Sequence, residues 1–287
     1  MTEEHFELLL QRYRCATPMP DFRAVLQVKR APRRWPYAVA AAVLIAIGIA
    51  LFVPRPKVLR NGEVVQTQRR AMRINAPSIG TIDVAPNTTL QLVEERNGRY
   101  RLDLKAGEIH AKTSSPPGVF VVDTPRATAV DLGCEYTLSV SERGSGHLHV
   151  TAGWVSLRYG SLQSLVPAAA TAEISADGDL TPPLFDDAPA AMKAAVRTFE
   201  RERDDTSLDT ILREARRRDA LTLLSLFHRA VNTEQRMRIF DRLNALVPAP
   251  PDLSRDAMRD WDLNTNAQWW PLVFKATGLT AIKKPKR

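Results

Sequence analysis

The sequence predicts a multi-domain chain: a single transmembrane helix, an all-β domain of the antiparallel jelly-roll or β-helix-like kind, and a small all-α module at the carboxyl end. Three observations predict it. Residues 37–53 (YAVAAAVLIAIGIALFV) carry no charge. Between residues 58 and 174 apolar residues recur at every second position, the period of a strand with one buried face. After residue 190 the period returns to that of a helix. The boundaries that follow are a tail over 1–36, the span over 37–53, the β domain over 57–175, a linker over 176–190 and helices over 191–287.

The apolar run comes first because it divides the chain between compartments. At about 1.5 Å per residue it covers roughly 26 Å, near the lower limit for crossing a bilayer. Pro36 and Pro54 bound it, and Trp35 and Tyr37 sit where interfacial aromatics belong. A soluble core helix would show a polar face, and this run shows none. A cleaved signal peptide would not carry 36 residues ahead of its apolar segment, and no Ala-x-Ala site follows Val53. Basic residues flank both ends. The cluster nearest the membrane, Lys29 to Arg34, favours a cytoplasmic amino terminus. The expectation is a single-pass membrane protein with a short cytoplasmic tail and a large extracytoplasmic region.

The tail is short. Phe6, Leu9, Leu10 and Tyr13 fall at helical spacing, and Phe22, Val25 and Leu26 form a second small set. Two readings stay open: an amphipathic segment lying on the bilayer or docking on a partner, and a mostly disordered tail.

Within the β domain, Tyr100-Arg101-Leu102-Asp103-Leu104 and His147-Leu148-His149-Val150 alternate cleanly. Asn97-Gly98, Pro116-Pro117-Gly118 and Gly144-Ser145-Gly146 punctuate the strands. Antiparallel hairpins are the default pairing. Residues 175–190 are rich in Pro and Asp, as a linker would be. Beyond them Leu208, Ile211, Leu212 and Ala215 make one helical stripe. Leu223, Phe227 and Ala230 make a second, and Met237, Phe240 and Val247 a third. Thr206-Ser207-Leu208-Asp209 fits a capping box. Trp269 and Trp270 are expected to pack near the end of the chain.

The formal net charge of +8 suits anionic envelope polymers or lipid headgroups better than nucleic acid, once the bulk of the chain lies outside the cytoplasm. Cys15 and Cys134 fall on opposite sides of the expected membrane and cannot pair within one chain. Cys134 shares a strand face with Tyr136, Leu138 and Val140, the place of a small core residue.

Catalytic chemistry finds little support. No nucleophile elbow, phosphate loop, dinucleotide fingerprint or zinc-protease motif occurs. His147 and His149 share a strand face and could offer two metal ligands, with His110 or a carboxylate as a third, but they are expected to face solvent. His5 and Cys15 are too few for zinc, and His228 beside Phe227 reads as a packed or half-exposed helix residue. Asp186-Asp187 and Asp204-Asp205 read as caps and turns, and Arg216-Arg217-Arg218 as a solvated helix face. The expectation is therefore no enzyme, no catalytic, cofactor-binding or metal residues, no cofactor, no nucleic acid and no small-molecule substrate.

Four stretches of the β domain, in order, resemble the FecR domain. They are Leu104-Lys105-Ala106-Gly107-Glu108-Ile109, Val119-Phe120-Val121-Val122-Asp123-Thr124-Pro125, Val130-Asp131-Leu132-Gly133-Cys134-Glu135-Tyr136, and Val150-Thr151-Ala152-Gly153-Trp154-Val155. The resemblance covers roughly residues 60–175. It implies a transmembrane signal transducer whose outer domain senses an envelope partner and whose cytoplasmic end regulates an extracytoplasmic-function sigma factor, an anti-sigma role. The chain departs from the family pattern in its short tail, in Cys134 where Thr is more common, in Tyr136 where Phe is, and in its helical carboxyl end. A second reading stands beside this one: an envelope scaffold or interaction protein anchored by its transmembrane helix, with no sigma-factor role.

Overall fold

The computed structural model describes residues 57–251, 253–259 and 269–278. The expected tail and the apolar run Tyr37–Val53 lie outside the described residues. Among the described residues no helix is long and apolar enough to cross a membrane.

Thirteen strands form one curled sheet with two faces. In chain order they are β1 (Val64–Gln66), β2 (Met72–Ala76), β3 (Gly80–Val84), β4 (Thr89–Arg96), β5 (Arg99–Thr113), β6 (Phe120–Asp123) and β7 (Thr128–Asp131). Then come β8 (Glu135–Val140), β9 (Gly146–Ala152), β10 (Trp154–Tyr159), β11 (Leu162–Pro167), β12 (Ala170–Ile174) and β13 (Leu184–Phe185). One face runs β1-β4-β5-β6-β7-β10-β11 and the other β2-β3-β5-β8-β9-β12-β13. Alternation drives the curl. In β8, Tyr136, Leu138 and Val140 point inward while Glu135, Thr137 and Ser139 do not. Both faces bury such sets in one apolar core.

β5 belongs to both faces. Its first half pairs with β4, and its second half with β3 and β8. The crossing is at Gly107, in the middle of the strand and not at a strand end. Its φ is 103°, and a Cβ there would run into Thr88. The chain leaves β5 on the second face, passes under the core and returns as β6 on the first. β6 therefore lies parallel to the first half of β5, Tyr100 opposite Phe120. This pair departs from the antiparallel default: a strand that wraps a corner makes its successor parallel to its own beginning, as in one coil of a β-helix.

The registers place all the crossovers at two ends. At the upper end lie the loops 67–71, 85–88, 124–127, 141–145 and 175–179. At the lower end the chain crosses between faces at Gly133, Gly153 and Ala168-Ala169. These crossings stack: Leu132 N–H donates to the Trp154 carbonyl (3.1 Å) and Ala168 N–H to that of Gly153 (2.9 Å). Gly153 has φ 74°, and a Cβ there would strike the Gly133 carbonyl oxygen. The glycines of the four resembling stretches are thus sites of face change and close backbone approach.

The helical part comprises α1 (Ala190–Glu202), α2 (Asp205–Glu214), α3 (Ala220–Phe227), α4 (Thr233–Leu246), α5 (Arg255–Arg259) and α6 (Trp270–Ala276). α3 (ALTLLSLF) is buried on every side, so it is the hub of this layer. α2 begins two residues before the expected capping box. Asp204 is the cap, accepting from Ser207 N–H at 2.8 Å, because its carboxylate reaches the free amides of the first turn. Asn232 caps α4 in the same way. Trp269 is fully buried, donates its indole N–H to the Val247 carbonyl (3.1 Å) and meets Phe240 edge-on at 5.3 Å.

The stretch 176–190, expected as a linker, packs into the fold. Leu180, Leu184, Ala188 and Phe185 are buried, and β13 adds to β12 with Ala170 opposite Phe185. Pro and Asp here shape a tight path, and the apolar residues between them have a surface to cover.

Candidate interaction site

The stretch Asp131 to Tyr136 builds the most constrained part of the β domain. Asp131 occupies an inward position of β7 and is 1 % exposed. Its carboxylate accepts from Gly133 N–H (2.6 Å), from the Cys134 thiol (2.7 Å) and from the Thr113 hydroxyl of β5. It thus locks the β7–β8 crossing to the end of β5. Burial pushes the Asp131 carboxyl up, and the hydrogen bonds only partly oppose it. The Cys134 thiol is pushed far up, first by burial and then by the Asp131 charge, so it is an inert core donor. Tyr136 is fully buried on the neighbouring inward position, and its hydroxyl finds no partner among the described residues.

A second constellation joins the sheet to the helices. Asp186 accepts from His149 Nε2 at 3.0 Å. Asp187 faces Arg216 (3.3 Å) and Arg218 (3.4 Å), and the Arg216 guanidinium holds its carboxyl below the usual range. Arg216 also grips the fully buried Asp219 at 2.8 Å, and Arg218 lies 4.8 Å over the Phe185 ring. Below them Arg229, 9 % exposed, donates to the carbonyls of Leu180 and Gln163 and to Glu200 (3.2 Å). Burial pulls the Arg229 guanidinium down, opposed first by Glu200. Arg203 adds a second cation on Glu200 at 3.0 Å.

These contacts relocate several residues singled out in the sequence. Arg216 and Arg218 are not a solvated face; with Asp187 they fasten helix to sheet. His147 and His149 do share a face, with His147 exposed and His149 against Asp186. His110 lies apart, between Thr137 and Glu135, both at 3.2 Å. No group of three or more metal-ligating side chains occurs among the described residues. His228 is largely buried, and burial lowers its imidazole to about 4. Asp204 caps α2, and Asp205 receives Gln235 (3.1 Å) and Arg238 (3.2 Å). His5 and Cys15 lie outside the described residues.

The buried pair Arg229–Glu200 and the role of Asp131 were not anticipated. Asp131 had a signal: a carboxylate at an inward position of an alternating strand demands local donors. Arg229 had none beyond its apolar neighbours.

What the arrangement offers is a rigid scaffold with its charges internally compensated, not a cleft with poised acid and base. A crease at the sheet–helix seam is lined by Thr181, Arg197, Glu200 and Arg201 among others. Arg197 there is committed to Glu173 at 2.6 Å.

Two crystal structures of a candidate anti-sigma factor from Parabacteroides distasonis ATCC 8503 resemble the chain at 13 % identity and a TM-score of 0.38. The similarity covers 46 % of this chain and 63 % of theirs. No curated protein matches the chain. The family comparison falls on the curled sheet itself, from the strand before β2 to the middle of β10. Residues 63–156, about a third of the chain, match the family described as FecR protein.

Proposed function

We propose that the chain is a single-pass inner-membrane signal-transduction protein. Its FecR-like domain lies in the periplasm and meets an envelope partner, and residues 1–36 hold or release an extracytoplasmic-function sigma factor in the cytoplasm. The observation that carries this reading is the FecR match over residues 63–156, on a domain whose buried polar groups are spent on locking strand crossings. The uncharged run 37–53 and the basic cluster at Lys29 to Arg34 support the anchor and its orientation. The absence of a poised acid–base or nucleophile pair among the described residues fits a binding role.

Two experiments test it. Reporter fusions at both termini should show an amino terminus inside and a carboxyl terminus outside; the reverse pattern removes the reading. Full-length chain should co-purify with a sigma factor, and deletion of residues 1–36 should abolish capture and change transcription of that factor's targets. If the deleted chain behaves as the intact one, the envelope scaffold reading replaces it.

A further inference from the structure

The upper end of the β domain gathers exposed arginines from loops far apart in the chain. Arg69 and Arg70 sit on the loop 67–71, Arg126 on 124–127 and Arg143 on 141–145. All four are exposed. Two arginines of the strands are neutralised by contrast: Arg73 pairs with Asp83 at 2.5 Å, and Arg101 donates to Asp123 at 2.9 Å. The four at the upper end enter no such pair among the described residues. Two contacts hold their loops in place. Asn87 N–H donates to the Gln68 carbonyl at 2.8 Å, and the Arg126 side chain lies against Gly144, which brings Arg126 beside the loop of Arg143. Glu142 is the one acidic residue on these three loops. Asp177 and Asp179 belong to the 175–179 hairpin beside β12, which adjoins the Arg143 loop through β9 but is separated from Arg69 and Arg70 on the β2 side by β3, β5, β8 and β9.

The described chain begins on the second face, opposite the middle of β2. Lys57 pairs with Ile74 in parallel; its N–H donates to the Arg73 carbonyl and its own carbonyl accepts from Asn75 N–H, both at 2.9 Å. A parallel register points the direction of entry toward the start of β2, and so toward Arg69 and Arg70. Only Pro54, Arg55 and Pro56 separate Lys57 from the apolar run. Four peptide links reach at most about 14 Å. With that run in the bilayer and the chain entering from the side of Arg69 and Arg70, so short a tether keeps the upper end near the lipid surface, where headgroup charge is felt over a Debye length of about 8–10 Å.

We infer that the upper end of the β domain docks on anionic lipid headgroups through Arg69, Arg70, Arg126 and Arg143. This rests on the membrane reading above and adds what the domain does there. Lipid contact fixes the tilt of the domain on its short tether. A partner that competes for this end would free it, which gives the outer domain a membrane-bound and a released state.

The test uses the full chain in lipid nanodiscs, some of pure phosphatidylcholine and some with about one-third phosphatidylglycerol. Amide hydrogen exchange is followed in the loops 67–71, 124–127 and 141–145. The lower-end hairpin at Asn97-Gly98, flanked by the exposed Arg96 and Arg99, serves as an arginine-bearing control at the opposite end. In the anionic discs the three loops should exchange at least about threefold more slowly, with the hairpin unchanged and the difference erased by about 0.5 M salt. Replacing all four arginines by glutamine should erase it as well. Equal exchange in the two kinds of disc overturns the docking and leaves the membrane anchor standing. Equal protection by dissolved inorganic phosphate at matched ionic strength overturns it too, since the site would then be a general anion site. A chain that stays with neither disc overturns the membrane reading itself, and the docking falls with it.

Discussion

Tyr136 carries a phenol where its surroundings ask for a phenyl ring. It is buried on β8 with its hydroxyl unpartnered among the described residues, and burial raises that hydroxyl well above its ordinary range. An unmet buried hydroxyl costs on the order of 1 kcal/mol or more. Tyr136→Phe keeps the ring and removes the cost, so it should stabilise the fold by about 1 kcal/mol. Denaturant unfolding of the full chain in detergent measures this; a variant less stable than the parent would mean that the hydroxyl is satisfied after all. Asp131, five residues earlier, shows the opposite case. Its carboxylate is just as buried but has three donors, two of them from Gly133 and Cys134. A thiol at position 134 supplies what a hydroxyl would supply, which explains why Cys fits where the resembling family more often has Thr.

At the level of elements, the hairpins were legible and the corners were not. Alternation marks β8, β9 and the first half of β5, because each has one wet face. It loses phase where β5 changes face: the inward residues are Leu102 and Leu104 before the corner and Ile109 and Ala111 after it, so even positions give way to odd ones. With Gly107 between the two sets, that shift reads equally well as the end of one strand and the start of another. Helix stripes were legible for the same reason as the strands. α3 is the exception: buried all round, it has no polar face to give it a period. The seam between sheet and helices was hidden, because an arginine is almost always a surface residue and Arg229 is not. Arg229→Ala would strip Glu200 of one of its two cations and leave the Leu180 and Gln163 carbonyls without that donor. Losing one member of a buried pair costs about 3 kcal/mol. Lysine at the same position would not restore it, since a compact ammonium lacks the planar fork whose two nitrogens divide these three acceptors between them. The expected result is a loss of that size in chemical unfolding, with faster amide exchange in β12 and α1 together. A loss below about 0.5 kcal/mol would show the pair to be ornamental.

Across the β domain and the helices, the chain packs as one compact unit. β13 extends the sheet from within the stretch that looked like a linker, and Thr222 of α3 donates to the Pro183 carbonyl at 2.6 Å. Trp154 of β10 meets Phe274 of α6 at 5.0 Å, so the far end of the chain covers a residue inside the FecR match. Composition alone suggests two separable modules because Pro and Asp are common in linkers; packing decides otherwise because Leu180, Leu184 and Phe185 have cores on both sides to fill. A chain ended at Gly178 would uncover Trp154 and the inner edge of β12, and would leave an open strand edge as a template for association. Each large apolar side chain so exposed forfeits roughly 1.5–3 kcal/mol, and a domain has only about 5–15 kcal/mol to lose. The shortened chain should therefore melt well below the full one and be digested by protease within the β strands, whereas the full chain should unfold in a single transition followed equally by tryptophan fluorescence and by circular dichroism. A shortened chain with an unchanged melting temperature, or two separated transitions in the full one, would mean that sheet and helices fold independently and that the seam at Asp187, Arg216 and Arg229 is only a contact between neighbours.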